Sequence, residues 1–285
     1  MKLVRARSMA EKKEFLRRRL EEYGRLLVAF SGGKDSLFLW QEASEILGAS
    51  QVFPYFIRTP FTLDSARERV AYFRNKFSMP VNEISIDFLK DSRLRRNPRQ
   101  RCYLCKIKMF TALKNEARKL GIRTIADGTT ASDLGEHRPG RLALEKLAVR
   151  SPLRDAGFSS AELVSLLKKK GVAAYFLTSS TCLATRFPYD FSLNRRLLEA
   201  VGRVEHYLAD HGVYPVRVRH MTDGVRIETT PANFVKVIAL RAGLSAVCRA
   251  AGFHFTTLDL GGLQSGCWDE LPEATVPARK MVSKC

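Results

Sequence analysis

The sequence predicts an α/β fold: a doubly wound parallel sheet with helices on both faces, followed by a smaller α+β domain. Three observations predict it. Short apolar runs alternate with helical stretches over the first part of the chain, the pattern of repeated strand–helix units. The first of these runs leaves through AFSGGKDS, residues 29–36, a glycine-rich turn set between a strand and a helix. Beyond about residue 188 the pattern changes to helix, hairpin, helix and strand. The expected division is therefore 1–188 for the sheet domain and 189–285 for the second.

Taken in order, residues 11–23 are charged and amphipathic, a helix. LLVAF, 26–30, is a buried strand, and 36–47 a helix. QVFPYFI, 51–57, is a second strand, weakened by Pro54. DSARERVAYFRNKF, 64–77, has helical periodicity with Asp64 as its N-cap. VNEISI is a third strand. Residues 104–119 form a helix closed by Gly121, and IRTIA, 122–126, a fourth strand ending at DGTT. SLNRRLLEAVGRVEHYLADHG is a helix, VYPVRVRHMTDGVRIETT a hairpin turning at Asp223-Gly224, PANFVKVIALRAGLSAVCRAAG a helix, and FTTLDL a strand. The last fifteen residues read as a loose tail.

Composition bounds the function. Hydrophobic residues make up 45% of the 285 residues, too many for a disordered chain. No apolar run reaches the length of a membrane span, and the N-terminal stretch lacks the apolar core of a signal peptide, so a cytosolic protein is expected. Six cysteines do not make a disulfide framework in a chain of this length. The net charge of +19 points to an anionic partner: nucleic acid, nucleotide or another phosphorylated ligand. Residues 90–108 hold eight basic residues and one acid, yet no RNA-recognition signature or helix-turn-helix pattern.

A strand, a glycine-rich turn and a helix N-terminus together make a phosphate cradle. Gly32 and Gly33 let backbone N–H groups approach an anion, and the helix end adds partial positive charge. Ser31 and Ser36 can donate hydroxyl hydrogen bonds, and Asp35 can hold the loop or a phosphate-bound Mg²⁺. Neither the kinase-type G-x-x-x-x-G-K-[ST] loop nor the dinucleotide G-x-G-x-x-G is present. Asp127, Gly128 and Thr129 end the fourth strand, where such sheets bind ligand, although an Asx turn would use the same residues.

Cys102 and Cys105 form one C-x-x-C pair, and Cys182 lies far along the chain. Spacing alone leaves three outcomes open: three ligands of a [4Fe–4S] cluster, a zinc site completed by Cys248 or Cys267, or a redox dithiol. Arg101, Lys106 and Arg186 lie beside these cysteines and are expected to favour thiolate. Arg217 and Arg219 alternate with valines and so share one strand face, suited to a phosphate. Glu205 and Glu228 could bind a divalent metal or pair with those arginines, and His220 and His254 read as structural. Cys248 sits on an apolar helix stripe; with Cys267 and Cys285 it is read as a bystander.

SGGKDS resembles the PP-loop of ATP pyrophosphatases, S-G-G-x-D-S, a family that cleaves ATP between its α and β phosphates and leaves an adenylated substrate. Over nearly its whole length the chain resembles the LarE family of sulfur transferases. The resemblance is carried by AFSGGKDS, NPRQRCYLCK, ADGTTASDLGEHRPG, RSPL, CLATRFPY, VRVRH, VRIE and LDLGG, in that order. It departs at FPYD, where a glycine often follows the tyrosine. The resemblance implies a PP-loop fold and an enzyme that uses ATP and Mg²⁺ to adenylate a carboxylate of a pyridinium biscarboxylate mononucleotide, a step in making the nickel-pincer cofactor. Sulfur then converts the carboxylate to a thiocarboxylate. It implies ATP contacts at Ser31, Gly32, Gly33, Asp35, Ser36, Asp127, Gly128 and Thr129, with Asp35 and Cys182 catalytic. Asp133 and Arg138 match further family positions. Arg186, Arg217 and Arg219 would meet the substrate phosphate. The sulfur source is either Cys182 itself or a [4Fe–4S] cluster on Cys102, Cys105 and Cys182, and the C-x-x-C favours the cluster. A homo-oligomer is implied as well. The charge keeps a tRNA-thiolating PP-loop enzyme as an alternative, and a non-enzymatic basic nucleotide- or RNA-binding protein as a third reading.

Overall fold

The computed structural model describes residues 7–78, 80–134, 140–173, 181–264 and 268. Arg138, Cys267, Cys285 and the expected tail at 271–285 lie outside the described residues. Helix α1 (Met9–Tyr23) leads into β1 (Leu26–Ala29), α2 (Lys34–Leu47), β2 (Val52–Arg58), α3 (Asp64–Phe77) and β3 (Asn82–Ser85). The short α4 (Ser92–Arg95) and the long α5 (Arg101–Lys119) follow, then β4 (Thr124–Asp127) and helices α6 (Gly140–Lys146), α7 (Pro152–Ala156) and α8 (Ser160–Lys169).

The four strands pair in parallel in the order β3-β2-β1-β4. The class is thus α/β, with a four-stranded parallel sheet compatible with a PP-loop fold. Leu26 and Val28 face α1, α2, α7 and α8, while Leu27 faces the opposite core with Phe110 and Leu113 of α5. Adjacent residues of one strand are therefore buried on opposite faces, which is why LLVA is apolar throughout. Pro54 is tolerated because β3 pairs with β2 only from Tyr55 onward, leaving Pro54 locally at an edge.

The second part contains α9 (Arg195–Asp210), β5 (Val216–His220), β6 (Gly224–Thr229), α10 (Phe234–Ala239), α11 (Arg241–Ala250) and β7 (Phe255–Leu258). β5 and β6 form the expected antiparallel hairpin, and β7 joins β6 in parallel. One buried cluster unites the two parts: Phe61, Leu63, Phe88 and Leu94 pack with Leu183, Phe187, Val204 and Val218. His220 lies among Phe187, Phe191 and Phe253, and Cys248 is fully buried on α11.

Several boundaries differ from the sequence reading. α2 begins at Lys34, so Asp35 and Ser36 lie in its first turn. Asp64 is the first helical residue of α3, and Leu63 takes the N-cap place. α5 begins three residues early, placing Cys102 and Cys105 in its first two turns. The helix expected over 231–252 is a 3-10 turn followed by α10 and α11, with a bend of 79°. Among the described residues no single helix is long and apolar enough to cross a membrane.

Candidate active site

Strand order turns at β1: β2 and β3 lie to one side of it, β4 to the other. The crevice at such a turning point opens at the carboxyl ends of β1 and β4. A cavity of about 540 Å³ lies there, lined by the AFSGGKDS loop apart from Gly32, by Asp127, Gly128 and Thr129, and by Cys102, Cys105 and Cys182. The structure thus brings the expected nucleotide and sulfur residues, Gly32 excepted, to one cavity.

The loop is shaped by its neighbours. Gly32 has φ +72°, and a Cβ on it would stand 2.8 Å from the Ala66 carbonyl oxygen of α3. Arg69, buried beneath, donates from Nε to the Gly32 carbonyl at 3.0 Å. Sequence reading missed Arg69; its signal is the α3 face shared with Ala66 and Val70, both against Gly32. The Ser31 and Ser36 hydroxyls lie 3.1 Å apart, and Ser36 Oγ donates to the Gly33 carbonyl at 3.0 Å. No side chain caps α2, so the N–H groups of its first turn remain available to an anion. Gly128 is required by contact: its Cβ would stand 2.6 Å from the Ser36 nitrogen.

Asp35 takes hydrogen bonds from Lys34 Nζ at 3.3 Å and Ser160 Oγ at 3.2 Å. Burial raises its pKa, and Lys34 and Ser160 oppose that rise. Asp127 holds its own turn, accepting from Ser151 Oγ at 2.7 Å and from the Thr129 N–H at 3.3 Å. The Asx turn and a place on the cavity wall therefore coexist. Asp133 accepts from the Thr130 N–H at 2.8 Å and also lines the cavity.

On the sulfur side one stripe of α5 faces the cavity: Cys102, Cys105, Lys106, Met109, Phe110 and Leu113. Cys182 precedes a 3-10 turn, Leu183–Arg186, tied to the sheet domain by the Leu183 N–H donating to the Phe61 carbonyl. Cys102 and Cys182 are exposed, and Cys105 is partly buried. The Cys105 thiol is pushed up from its ordinary pKa by burial first, then by the neighbouring Cys182 and Cys102; Arg101 pulls it down by less. The expected lowering toward thiolate therefore does not occur at Cys105, because desolvation outweighs the adjacent cation.

Among the described residues no three His, Cys, Asp or Glu side chains stand close enough together to hold a metal ion. Three thiols, those of Cys102, Cys105 and Cys182, nevertheless line this one cavity. Cys248 does not line this cavity.

The arginines sort by partner. Arg186 is buried and bidentate on Glu205, with Thr181 and Thr185 on its remaining nitrogen. Burial lowers the Arg186 pKa, Glu205 outweighs it, and the net shift is upward. Glu205 also accepts the Val218 N–H at 2.8 Å. Arg219 pairs with buried Glu228 at 2.9 Å, and Arg226 joins that carboxylate at the same distance. Arg217 and Arg219 share one face, as both donate to the Gln264 carbonyl. Arg217 lines a second cavity of about 70 Å³ whose wall includes Thr181 and Arg186. Glu205 and Glu228 are thus engaged by arginines.

No family model matches the chain. It is 28% identical over 259 residues to the pyridinium-3,5-bisthiocarboxylic acid mononucleotide synthase of Lactiplantibacillus plantarum, covering 91% of this chain and 94% of that protein. It is 31% identical over 261 residues to an uncharacterized protein of Synechocystis sp., covering 90% and 97%. An uncharacterized protein of Methanocaldococcus jannaschii is 29% identical over 195 residues, covering 68% and 73%. With the phosphate-type loop, the strand-end turn and the cysteines on one cavity, the chain belongs to the LarE-like family of these relatives.

Proposed function

We propose that this chain is an ATP-dependent sulfurtransferase that adenylates a carboxylate of a pyridinium-3,5-biscarboxylate mononucleotide and replaces its oxygen with sulfur, serving nickel-pincer cofactor maturation. The observation that carries the reading is the shared cavity, with the phosphate-type loop and three thiols on its walls. The printed activity of the Lactiplantibacillus plantarum relative supports the substrate class.

In this reading Ser31, Gly32, Gly33, Ser36 and the open end of α2 receive the ATP phosphates, with Asp127, Gly128 and Thr129 beside them. Asp35 would hold Mg²⁺, whose charge restores the carboxylate that burial disfavours. The acceptor carboxylate attacks the α-phosphorus, and pyrophosphate leaves with the electron pair of the broken P–O bond. The acyl carbon then carries AMP as leaving group, so a sulfur nucleophile can add and expel it. With Cys182 as donor, a thioester forms; loss of the Cys182 α-proton and cleavage of its Cβ–S bond release thiocarboxylate and leave dehydroalanine. A [4Fe–4S] cluster held by Cys102, Cys105 and Cys182 would instead supply the sulfide for this attack, one consumed per turnover and replaced from an external sulfide source. In this reading Arg217, on the smaller cavity, would meet the mononucleotide phosphate, while Arg186 and Arg219, engaged with Glu205 and Glu228, shape its surroundings. Division near residue 188 and self-association complete the reading, the latter supported by exposed Val235, Ile238, Phe255 and Leu260.

The test is anaerobic incubation of the protein with MgATP and the biscarboxylate mononucleotide. Pyrophosphate release with replacement of carboxylate oxygen by sulfur is the expected result; no pyrophosphate with this acceptor defeats the reading. Iron and acid-labile sulfide, lost in Cys102→Ala, would assign a cluster. Loss of one H₂S from Cys182 would assign a sacrificial donor. The net charge of +19 supports a second acceptor, tRNA, which salt-sensitive tRNA binding with thiolated product would select.

A further inference from the structure

Arg101 opens α5 between the phosphate loop and the cysteines, and its side chain lines the shared cavity. The residue is 7% exposed. Its Nε and Nη1 are buried with no hydrogen-bond partner among the described residues. The guanidinium carbon lies 4.5 Å from the Tyr189 ring centre, a contact that orients the plane and leaves the donors unmet. The other buried arginines among the described residues are supplied with oxygen: Arg69 by the Gly32 carbonyl, Arg186 by Glu205, and Arg219 by Glu228. A buried guanidinium without an acceptor is costly to keep, which marks a place where an acceptor arrives from outside. Lys106 and Arg141 line the same cavity and add to its positive potential.

We propose that Arg101 is the core of a second oxyanion subsite, on the sulfur side of the cavity, that binds an anionic group of the acceptor that is not being activated. The chemistry is carboxylate or phosphate oxygen accepting from the guanidinium N–H donors. The inference rests on the acceptor class proposed above. It adds that the acceptor is held at two places, by the loop side at its reacting carboxylate and by Arg101 at another anion. Such a two-point hold fixes which face of the acyl carbon is turned to the cysteines.

Binding of three probes is measured by calorimetry without ATP, on wild type, Arg101→Met and Arg101→Lys, alongside thermal unfolding. The probes are pyridinium-3,5-biscarboxylate mononucleotide, its 3-monocarboxylate analogue, and pyridine-3,5-dicarboxylate. Arg101→Met is expected to weaken the full acceptor at least ~30-fold, with Arg101→Lys recovering part of the loss. Its melting temperature should stay level or rise, since an unpartnered buried charge has been removed. A loss shared by both dicarboxylates and absent from the monocarboxylate assigns the second carboxylate. A loss shared by both mononucleotides and absent from the phosphate-free probe assigns the phosphate. Unchanged affinity for all three probes overturns the proposal, and so does a lowered melting temperature with unchanged affinity, which would make Arg101 a structural clamp on Tyr189. Failure of pyrophosphate release in wild type is read separately and bears on the reaction alone.

Discussion

Asn97 donates from Nδ2 to the Pro188 carbonyl at 2.7 Å, and the same nitrogen reaches the Ala184 and Phe187 carbonyls at 3.3 Å. Asn97 itself is fully buried with φ +51°. Its own carbonyl accepts the Asp190 N–H at 3.1 Å. One side chain therefore fastens the segment leading into Cys102 to the segment that follows Cys182. The prediction is made with Asn97→Gly, which keeps the left-handed backbone and removes only the amide. It should cost about 2 kcal/mol in denaturant unfolding, the scale of a lost buried donor with stranded acceptors. Sulfur transfer should fall while ATP affinity stays within about twofold. Equal loss of both would assign Asn97 to the general core.

Gly32→Ala and Gly128→Ala should each abolish detectable pyrophosphate release. The new methyl meets backbone at both sites, the Ala66 carbonyl or the Ser36 nitrogen, so no side chain can swing aside. Gly32→Ala also places a Cβ at φ +72°, adding roughly 1–2 kcal/mol of conformational cost. Chemical unfolding and pyrophosphate assays check both.

Asp35→Asn separates stability from chemistry. The folded carboxyl has a raised pKa, so its contribution to stability is full below the ordinary carboxylate value and is lost as pH rises through the folded value. Above that range the charged, buried carboxylate is a net burden. Asp35→Asn should therefore leave stability at neutral pH equal or higher and flatten this part of the acid-side pH profile. MgATP-dependent pyrophosphate release should drop by at least ~100-fold. Unfolding curves from pH 3 to 8 provide the check.

Alkylation should resolve the cysteines. Cys102 and Cys182 are exposed, whereas burial pushes the Cys105 thiol up. At mildly alkaline pH iodoacetamide should modify Cys105 at least ~10-fold more slowly than Cys102 and Cys182. Cys248 should react only on unfolding, and peptide mass mapping follows all four.

Asp190 has φ +59°, a conformation that glycine adopts without cost. It occupies the position where the family often has glycine after the tyrosine of FPY. Asp190→Gly should raise stability by about 0.5–1 kcal/mol, measured by chemical unfolding.

Much of this was legible from sequence because local patterns carried it. Buried parallel strands announce themselves as unbroken apolar runs such as LLVA, and a glycine pair before a helix announces an anion site. α5 starts earlier than the sequence pattern indicates because RCYL carries no capping side chain and no apolar spacing before Leu104. The break between α10 and α11 was hidden because the apolar spacing runs across Leu240, although Val235 and Ile238 end up exposed while Leu244 and Cys248 are buried. The partners of Arg186 and Asn97 were not legible at all. Glu205 lies on a later helix, and the acceptors of Asn97 are backbone carbonyls, which leave no trace in residue identity.

Helix α3 acts as a mould for the phosphate loop. The Ala66 carbonyl leaves no room for a Cβ on Gly32, and Arg69 holds the Gly32 carbonyl through its Nε. The loop's shape is therefore present before any nucleotide arrives. Little backbone freedom remains to be lost on capture, so the cradle's affinity is spent on the anion rather than on folding the loop around it.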